Sequence, residues 1–121
     1  MDRKTLRDLL KQNLAAAVSK KTGADYVFEY RFAAPERQWR SDIAFPAAKV
    51  AVEIDGGIWT YGRHNRAASM LDDMEKGNGY AARGWIVFHT PWEWIDGGRR
   101  DRSAQLIADI AAAIKARAVA I

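Results

Sequence analysis

The sequence predicts an α/β fold in which a mixed β-sheet is flanked by helices, with the element order α-β-β-β-α-β-α. Two observations lead to this prediction. Apolar residues recur at helical spacing in three segments, and four shorter runs are rich in β-branched and aromatic residues, as strands are. With 121 residues, 49% of them hydrophobic, the chain can bury a sizeable core, and we expect a single domain over residues 1–121.

The first half of the chain is predicted to be one helix followed by three strands. Apolar residues at helical spacing run from Leu6 to Val18, and Gly23 is a natural end for this helix. Residues 26–32, 38–45 and 49–55 have the composition of strands and are separated by short turns that contain proline. Short turns favour antiparallel pairing, so we expect a meander.

The second half is predicted to be helix, strand and helix, over residues 65–83, 85–89 and 99–118. Gly77 and Gly79 weaken the prediction of the 65–83 helix, because a glycine inside a helix lowers its stability by about 1 kcal/mol relative to alanine. A helix between the third and fourth strands favours parallel pairing of the two. The residues of the 65–83 helix predicted to face the core are Ala67, Met70, Leu71, Met74 and Ala81.

Composition and charge restrict the class of protein. The chain has no cysteine, which excludes disulfides and thiolate metal sites and is typical of a reducing compartment. Charged residues interrupt the apolar stretches, so we expect no membrane span or secretory signal and a cytoplasmic location. The net charge of +4, with twelve arginines, favours a polyanionic partner such as nucleic acid, although many basic domains bind none.

Three carboxylates are expected to converge at the end of the third strand. Side chains alternate along a strand, so the three branched aliphatics of VAVEIDGG face the core while Glu53 and Asp55 lie on the opposite face. Asp42, on the preceding strand, falls across from Glu53 if the two strands pair around the turn at Pro46. Carboxylates this close repel each other and raise each other's pKa unless a cation joins them.

This constellation fits a hard divalent cation. Mg²⁺ or Mn²⁺ takes carboxylate oxygens together with water and substrate phosphates, and can generate a hydroxide that attacks a phosphodiester. Asp42, Glu53 and Asp55 are the candidate ligands. Lys76 and His64 are candidates for stabilising charge and moving protons.

Structural interpretations of the same residues stay open. Acidic residues at a strand end are common, and an E-x-D pattern is weak evidence by itself. Lys76 falls opposite the apolar stripe of its helix, which is typical of a solvated lysine, whereas Asp73 is better placed to face the sheet. His64 can equally stack on a neighbouring aromatic residue, and His89 is expected to be a strand-end or core histidine rather than a base.

The motifs SDIAFP, VEIDGG and GRH, followed by D-x-x-K-x-N and Gly84-Trp85, resemble the PD-(D/E)XK nuclease superfamily. In particular, the chain is similar to small Vsr-like endonucleases, including relatives often encoded by phages and prophages, and the resemblance covers about residues 26–90. It implies a restriction-endonuclease-like fold and a Mg²⁺-dependent endodeoxyribonuclease in a bacterial cell or phage-infected host.

The resemblance also implies roles for individual residues. Asp42 and Glu53 would hold Mg²⁺ against the scissile phosphate. Asp55 occupies the position where the family pattern has lysine, and Lys76 is the candidate replacement from the following helix. Glu29 and Asp73 are further candidate acids.

Basic and aromatic residues flank the predicted site and are candidates for DNA contacts. The candidates for binding phosphates are Arg37, Arg40, Arg63 and Arg66, and those for stacking on bases are Trp59 and Tyr61. The alternative is that the arginines are solvated and Trp59 caps the core.

Two other classes of function stay open beside the nuclease. One is a DNA-binding module that keeps the fold without the chemistry, and the other is a structural or assembly protein. A homodimer is also considered, because paired strand cuts require a dimer or successive nicks.

Overall fold

The computed structural model describes residues 1–55 and 66–119 of the chain. Within these residues the helices are α1 (Arg3–Thr22), α2 (Arg66–Ala82) and α3 (Arg100–Val119). The strands are β1 (Val27–Tyr30), β2 (Ser41–Phe45), β3 (Val50–Ile54) and β4 (Ile86–Thr90), and a short 3₁₀ helix, Trp92–Trp94, precedes α3. The α/β class and the element order predicted from sequence are confirmed.

The four strands form one mixed sheet in the order β1-β2-β3-β4. The first three pair antiparallel and β4 pairs with β3 in parallel, so the meander and the parallel pairing are both confirmed. Ile43 lies opposite Val52, and Phe45 lies opposite Val50. This register aligns the apolar positions of β2 and β3 on one face.

The main hydrophobic core lies between that face of the sheet and helices α1 and α3. The central residues of this core are Leu14, Val18, Ile43, Phe45, Val50, Val52, Ile110 and Ile114. Asp2 caps the N-terminus of helix α1, where its side chain accepts a hydrogen bond from the Thr5 N–H at 2.7 Å, and Gly23, with φ 75°, caps the C-terminus. The predicted end at Gly23 is therefore confirmed, since glycine adopts this left-handed conformation without steric cost.

Helix α2 covers the opposite face of the sheet, where an aromatic cluster forms a second core. The ring of Phe32 stacks on that of Tyr80 with centroids 3.7 Å apart. Gly79 lies directly under Trp39, because a Cβ placed there would come within 2.5 Å of Cζ3 of the indole ring. The glycine that weakened the helix prediction is thus the position at which Trp39 packs against α2.

The predicted buried stripe of α2 is wrong. Met70, Leu71 and Met74 are 39%, 60% and 58% exposed, whereas Tyr80 is buried and Lys76 is half-buried. The sheet beneath α2 carries polar groups from β2 and β3, and Lys76 and Tyr80 contact them. The side of α2 that faces the sheet is therefore set by the aromatic packing around Tyr80 together with these polar contacts, and not by the most apolar stripe of the helix.

Strands β1 and β2 are shorter than predicted. Strand β1 ends at Tyr30, and Phe32 leaves the sheet to join the second core. Strand β2 begins at Ser41, and Trp39, just before it, packs against α2. None of the helices in residues 1–55 and 66–119 is both long enough and apolar enough to cross a membrane.

Candidate functional site

Asp42 and Glu53 lie side by side at the end of the β2–β3 pair. Because Ile43 pairs with Val52, extending the antiparallel register by one residue sets Asp42 level with Glu53. Oδ2 of Asp42 accepts a hydrogen bond from the Ile54 N–H at 2.7 Å. Glu53 is 7% exposed, which is unusual for a carboxylate.

The surroundings of Asp42 disfavour its charged form. Burial is the main cause that raises the pKa of Asp42 to about 6, and the negative charges of Glu53 and Glu29 raise it further. The hydrogen bond from the Ile54 N–H acts in the opposite direction, since it favours the carboxylate. A positive ligand would therefore be stabilised here.

Two donors hold Glu53 from α2. The Tyr80 hydroxyl donates to Oε1 of Glu53 at 2.7 Å, and Nζ of Lys76 forms an ion pair with the same oxygen. Lys76 also donates to the backbone oxygen of Arg40 at 2.7 Å. Lys76 is thus directed at the sheet, and the expectation of a solvated lysine is wrong.

A chain of hydrogen bonds continues from Glu53 to β2. Burial raises the pKa of the Tyr80 phenol well above its usual value, so its proton stays in place. A phenol has one proton, and here it goes to Glu53. The Ser41 hydroxyl, 2.7 Å from the Tyr80 oxygen, must therefore be the donor in that contact.

Asp55 pairs with His89 rather than with the other carboxylates. Nδ1 of His89 lies 2.7 Å from Oδ2 of Asp55, and His89 is level with Glu53 in the parallel β3–β4 register. The hydrogen bond to Asp55 raises the pKa of His89 above its usual value. Asp55 therefore orients the imidazole of His89 and leaves its Nε2 as the nitrogen available for proton exchange.

The expected convergence of three carboxylates is not confirmed. Across residues 1–55 and 66–119, no group of three or more His, Cys, Asp or Glu side chains is arranged to hold a metal ion. Mg²⁺ is commonly held by one or two carboxylates, with water and substrate phosphates completing its coordination. The adjacent, like-charged Asp42 and Glu53 fit that requirement as a pair.

Two cavities open beside this pair. The α2 cavity, about 510 Å³, is lined among others by Glu53, Asp55, Lys76, Tyr80 and His89. The α1 cavity, about 490 Å³, is lined by Asp42 and Glu29 together with Ile54, Trp92 and polar residues of α1. Asp42 and Glu53, although adjacent, thus line different cavities.

The other predicted acids lie at the walls of these cavities. Glu29 lines the α1 cavity and pairs with Lys11, whose Nζ is 3.0 Å from its Oε1. Its charge is one of those that raise the pKa of Asp42. Asp73 is exposed and lines the α2 cavity.

The predicted phosphate-binding arginines are less available than expected. Arg37 pairs with Glu75 at 3.1 Å, and its guanidinium lies 3.8 Å from the centroid of a Trp39 ring. Arg40 is exposed, and its backbone oxygen binds Lys76. The predictions for Trp59, Tyr61, Arg63 and His64 lie outside the described residues, as does the side chain of Arg66, the first residue of α2.

Sequence reasoning missed Tyr80 as a site residue and set His89 aside. Tyr80 follows Lys76 by four residues, a spacing that places both on one side of a helix, and this signal was available. His89 required the parallel register of β3 and β4, which brings it level with Glu53. When two parallel strands are joined by a long crossover, the sequence does not specify which residues of the two strands lie opposite each other.

Compared with protein-family models, with curated proteins and with solved structures, the chain matches none of them. Any functional assignment therefore depends on the geometry of its own residues.

Proposed function

We propose that this protein is a divalent-metal-dependent DNA endonuclease that hydrolyses phosphodiester bonds at the end of strand β3. The observation that carries the proposal is the contact of Lys76 with Glu53, beside Asp42. An acidic pair suited to Mg²⁺ and an ammonium group suited to a phosphate thus meet at one point. The resemblance of the sequence motifs to PD-(D/E)XK nucleases supports the same assignment.

Asp42 and Glu53 are the residues that would hold Mg²⁺ or Mn²⁺. Both side chains offer carboxylate oxygens, and the pKa of Asp42 is raised mainly by burial and further by the negative charge of Glu53, so a cation bound between them would be stabilised. When bound, the metal would polarise the phosphate and lower the pKa of a water molecule. Asp55, predicted as a third ligand, is assigned instead to positioning His89.

The chain's own groups supply the remaining functions. The ammonium of Lys76 neutralises charge that develops on the phosphate oxygens, and Tyr80 holds the carboxylate of Glu53 in place. His89, fixed through Nδ1 by Asp55, presents Nε2 for proton exchange with the nucleophile or the leaving oxygen. His64, predicted from sequence for this task, lies outside the described residues.

A cleavage assay tests the proposal. The purified protein is incubated with linear, supercoiled, mismatched, single-stranded and four-way-junction DNA in Mg²⁺, Mn²⁺ or EDTA. We expect metal-dependent cleavage of at least one substrate that is lost in Asp42→Ala and Glu53→Gln but kept in Glu36→Gln, an exposed matched control. Cleavage by Asp42→Ala at the wild-type rate would refute the assignment.

Metal binding has a readout that does not depend on activity. A ligand that binds only the folded state stabilises it by RT ln(1 + [L]/Kd), or about 1.4 kcal/mol when its concentration is ten times Kd. We expect Mg²⁺ to raise the thermal midpoint of the wild type and of Glu36→Gln, but not of Glu53→Gln.

Sedimentation of the protein, free and with DNA, tests whether paired cuts would come from a homodimer or from successive nicks.

A second candidate function is a DNA-binding module without catalysis. The observation that favours it is that Oε1 of Glu53 already binds Tyr80 and Lys76, so its charge is neutralised within the protein. DNA binding that is equal in Mg²⁺ and EDTA, with no nicking of any substrate in the panel, would support this candidate over the nuclease.

A further inference from the structure

Helix α1 carries a basic face beside the α1 cavity. Arg3, Lys4, Arg7 and Lys11 all line this cavity together with Asp42. At 3.6 residues per turn these four positions fall within an arc of about 100°, and at 1.5 Å per residue they span about 12 Å along the helix axis. One face of α1 is therefore a basic wall that runs toward Asp42.

Contacts within the protein fix two of these cations in place. The Lys11 side chain is only 16% exposed, pairs with Glu29 and lies 5.2 Å from the centroid of the Phe28 ring. The guanidinium of Arg7 lies 4.9 Å from the centroid of a Trp92 ring. An arginine held by stacking keeps its N–H donors free, because the ring occupies only the face of the guanidinium.

Much of the positive charge on this face is available to a ligand. Among the salt bridges of the described residues, Arg3 and Arg7 have no carboxylate partner, and Lys4 pairs only with the exposed Asp8. Exposed pairs of this kind contribute little and exchange readily. The side chain of Asp2 caps the helix N-terminus, so the side chains rather than the backbone would bind an anion.

We propose that Arg3, Lys4 and Arg7 bind consecutive phosphates of a DNA strand and guide it along the α1 cavity to Asp42. This inference rests on the proposed function and names the surface that holds its substrate. Phosphates of one strand repeat about every 3.4 Å along a duplex axis, so the span of about 6 Å from Arg3 to Arg7 matches about two such intervals, or three phosphates. Arginine suits this ligand because its planar fork binds phosphate oxygens in pairs.

The arginines predicted from sequence are a weaker alternative. Arg37 is already paired with Glu75, so binding a phosphate would cost this ion pair. Arg3 and Arg7 would lose no salt bridge. The cavity they line also contains Asp42, whereas Arg37 lines neither cavity.

The test measures the salt dependence of DNA binding in EDTA. A fluorescein-labelled 20-base-pair duplex is titrated with wild type, Arg3→Gln/Arg7→Gln, and Lys20→Gln/Lys21→Gln at 50 to 200 mM NaCl. The control pair removes the same charge from the far end of α1, where both lysines are exposed. Each phosphate contact contributes about 0.9 to the slope of log Kd against log salt, so we expect the arginine pair to reduce the slope by about 1.8.

At 100 mM NaCl this change corresponds to affinity weaker by tens of fold, on the order of 60-fold if both contacts are lost. The lysine control should stay within about threefold of the wild type, and Arg3→Lys/Arg7→Lys should keep the wild-type slope because slope depends on charge. Circular dichroism melts establish that each variant is folded.

The outcomes separate this inference from the proposed function. If the wild type binds with a clear salt slope and Arg3→Gln/Arg7→Gln loses no more affinity than the lysine control, the Arg3–Arg7 face does not carry the contacts and this inference is refuted, although the nuclease proposal survives. If the wild type itself fails to bind any DNA, the proposed function fails first. A selective loss in Arg3→Gln/Arg7→Gln supports the inference.

Discussion

Replacing Asp42 by asparagine removes a carboxylate whose charged form the fold disfavours. Asparagine has nearly the same shape, and its Oδ1 can still accept from the Ile54 N–H that now binds Oδ2 of Asp42 at 2.7 Å. In buffer without divalent cations we therefore expect Asp42→Asn to be more stable than the wild type at neutral pH. The gain comes from relief of burial and of repulsion by Glu53 and Glu29.

The sign and size of this effect follow from the pKa of Asp42, which is raised from 3.8 to about 6 in the folded protein. Below pH 3.8 the Asp42 side chain is protonated in both the folded and the unfolded state, and it does not lower the free energy of unfolding. Between pH 3.8 and 6 the unfolded chain loses its proton first, so the folded state is progressively disfavoured. At 1.36 kcal/mol for each pKa unit, the full cost above pH 6 is about 2 to 3 kcal/mol.

Urea unfolding followed by tryptophan fluorescence, at intervals from pH 4 to pH 8 in EDTA, measures the difference in unfolding free energy between wild type and Asp42→Asn. The difference should be near zero at pH 4 and about 2 to 3 kcal/mol in favour of the variant at pH 7.5. Glu36→Gln, at an exposed site, should show no such trend. A variant less stable than the wild type at pH 7.5, or a difference independent of pH, would refute the reasoning about burial and crowding.

The other predictions concern the two helix glycines and the histidine. Gly79→Ala should lower the unfolding free energy by about 1 to 3 kcal/mol, because its Cβ would lie 2.5 Å from the Trp39 ring. Gly77→Ala is the matched control: it meets nothing within 4 Å and should stabilise by about 0.5 to 1 kcal/mol, so equal effects in urea titrations would contradict the packing argument. The NMR-measured pKa of His89 should exceed 6.5 and fall in Asp55→Asn, and an unchanged pKa would show that the contact is not formed. Because that pKa is raised, the contribution of the pair to stability is fully present below pH 6.5 and is lost as pH rises through the folded pKa.

Strand alternation and one tight turn were sufficient to predict the position of Asp42 beside Glu53. Both are local properties of the sequence, because side chains alternate along a strand and a short turn sets the antiparallel register. The observed pairing of Ile43 with Val52 confirms this part of the prediction. The parallel alignment that brings His89 level with Glu53 depends on a crossover through α2, whose length does not specify register.

The orientation of α2 could not be predicted from hydrophobic spacing. That method assumes that the most apolar side of a helix is buried, and here Leu71 and Met74 are exposed. A buried Glu53 needs donors, and leaving it without them would cost more than exposing two apolar side chains. Lys76 and Tyr80 supply those donors, so the decisive information lies in a strand distant in sequence.

The double attachment of Lys76 links the stability of α2 to whatever occupies the end of β3. A cation bound by Glu53, or a phosphate bound by Lys76, would compete with the ion pair that joins this helix to the sheet. Lys76 also holds the backbone oxygen of Arg40, so its amine can exchange one partner while the other keeps the helix in place. The same side chain can thus attach α2 to the sheet in the free protein and neutralise phosphate charge when DNA is bound.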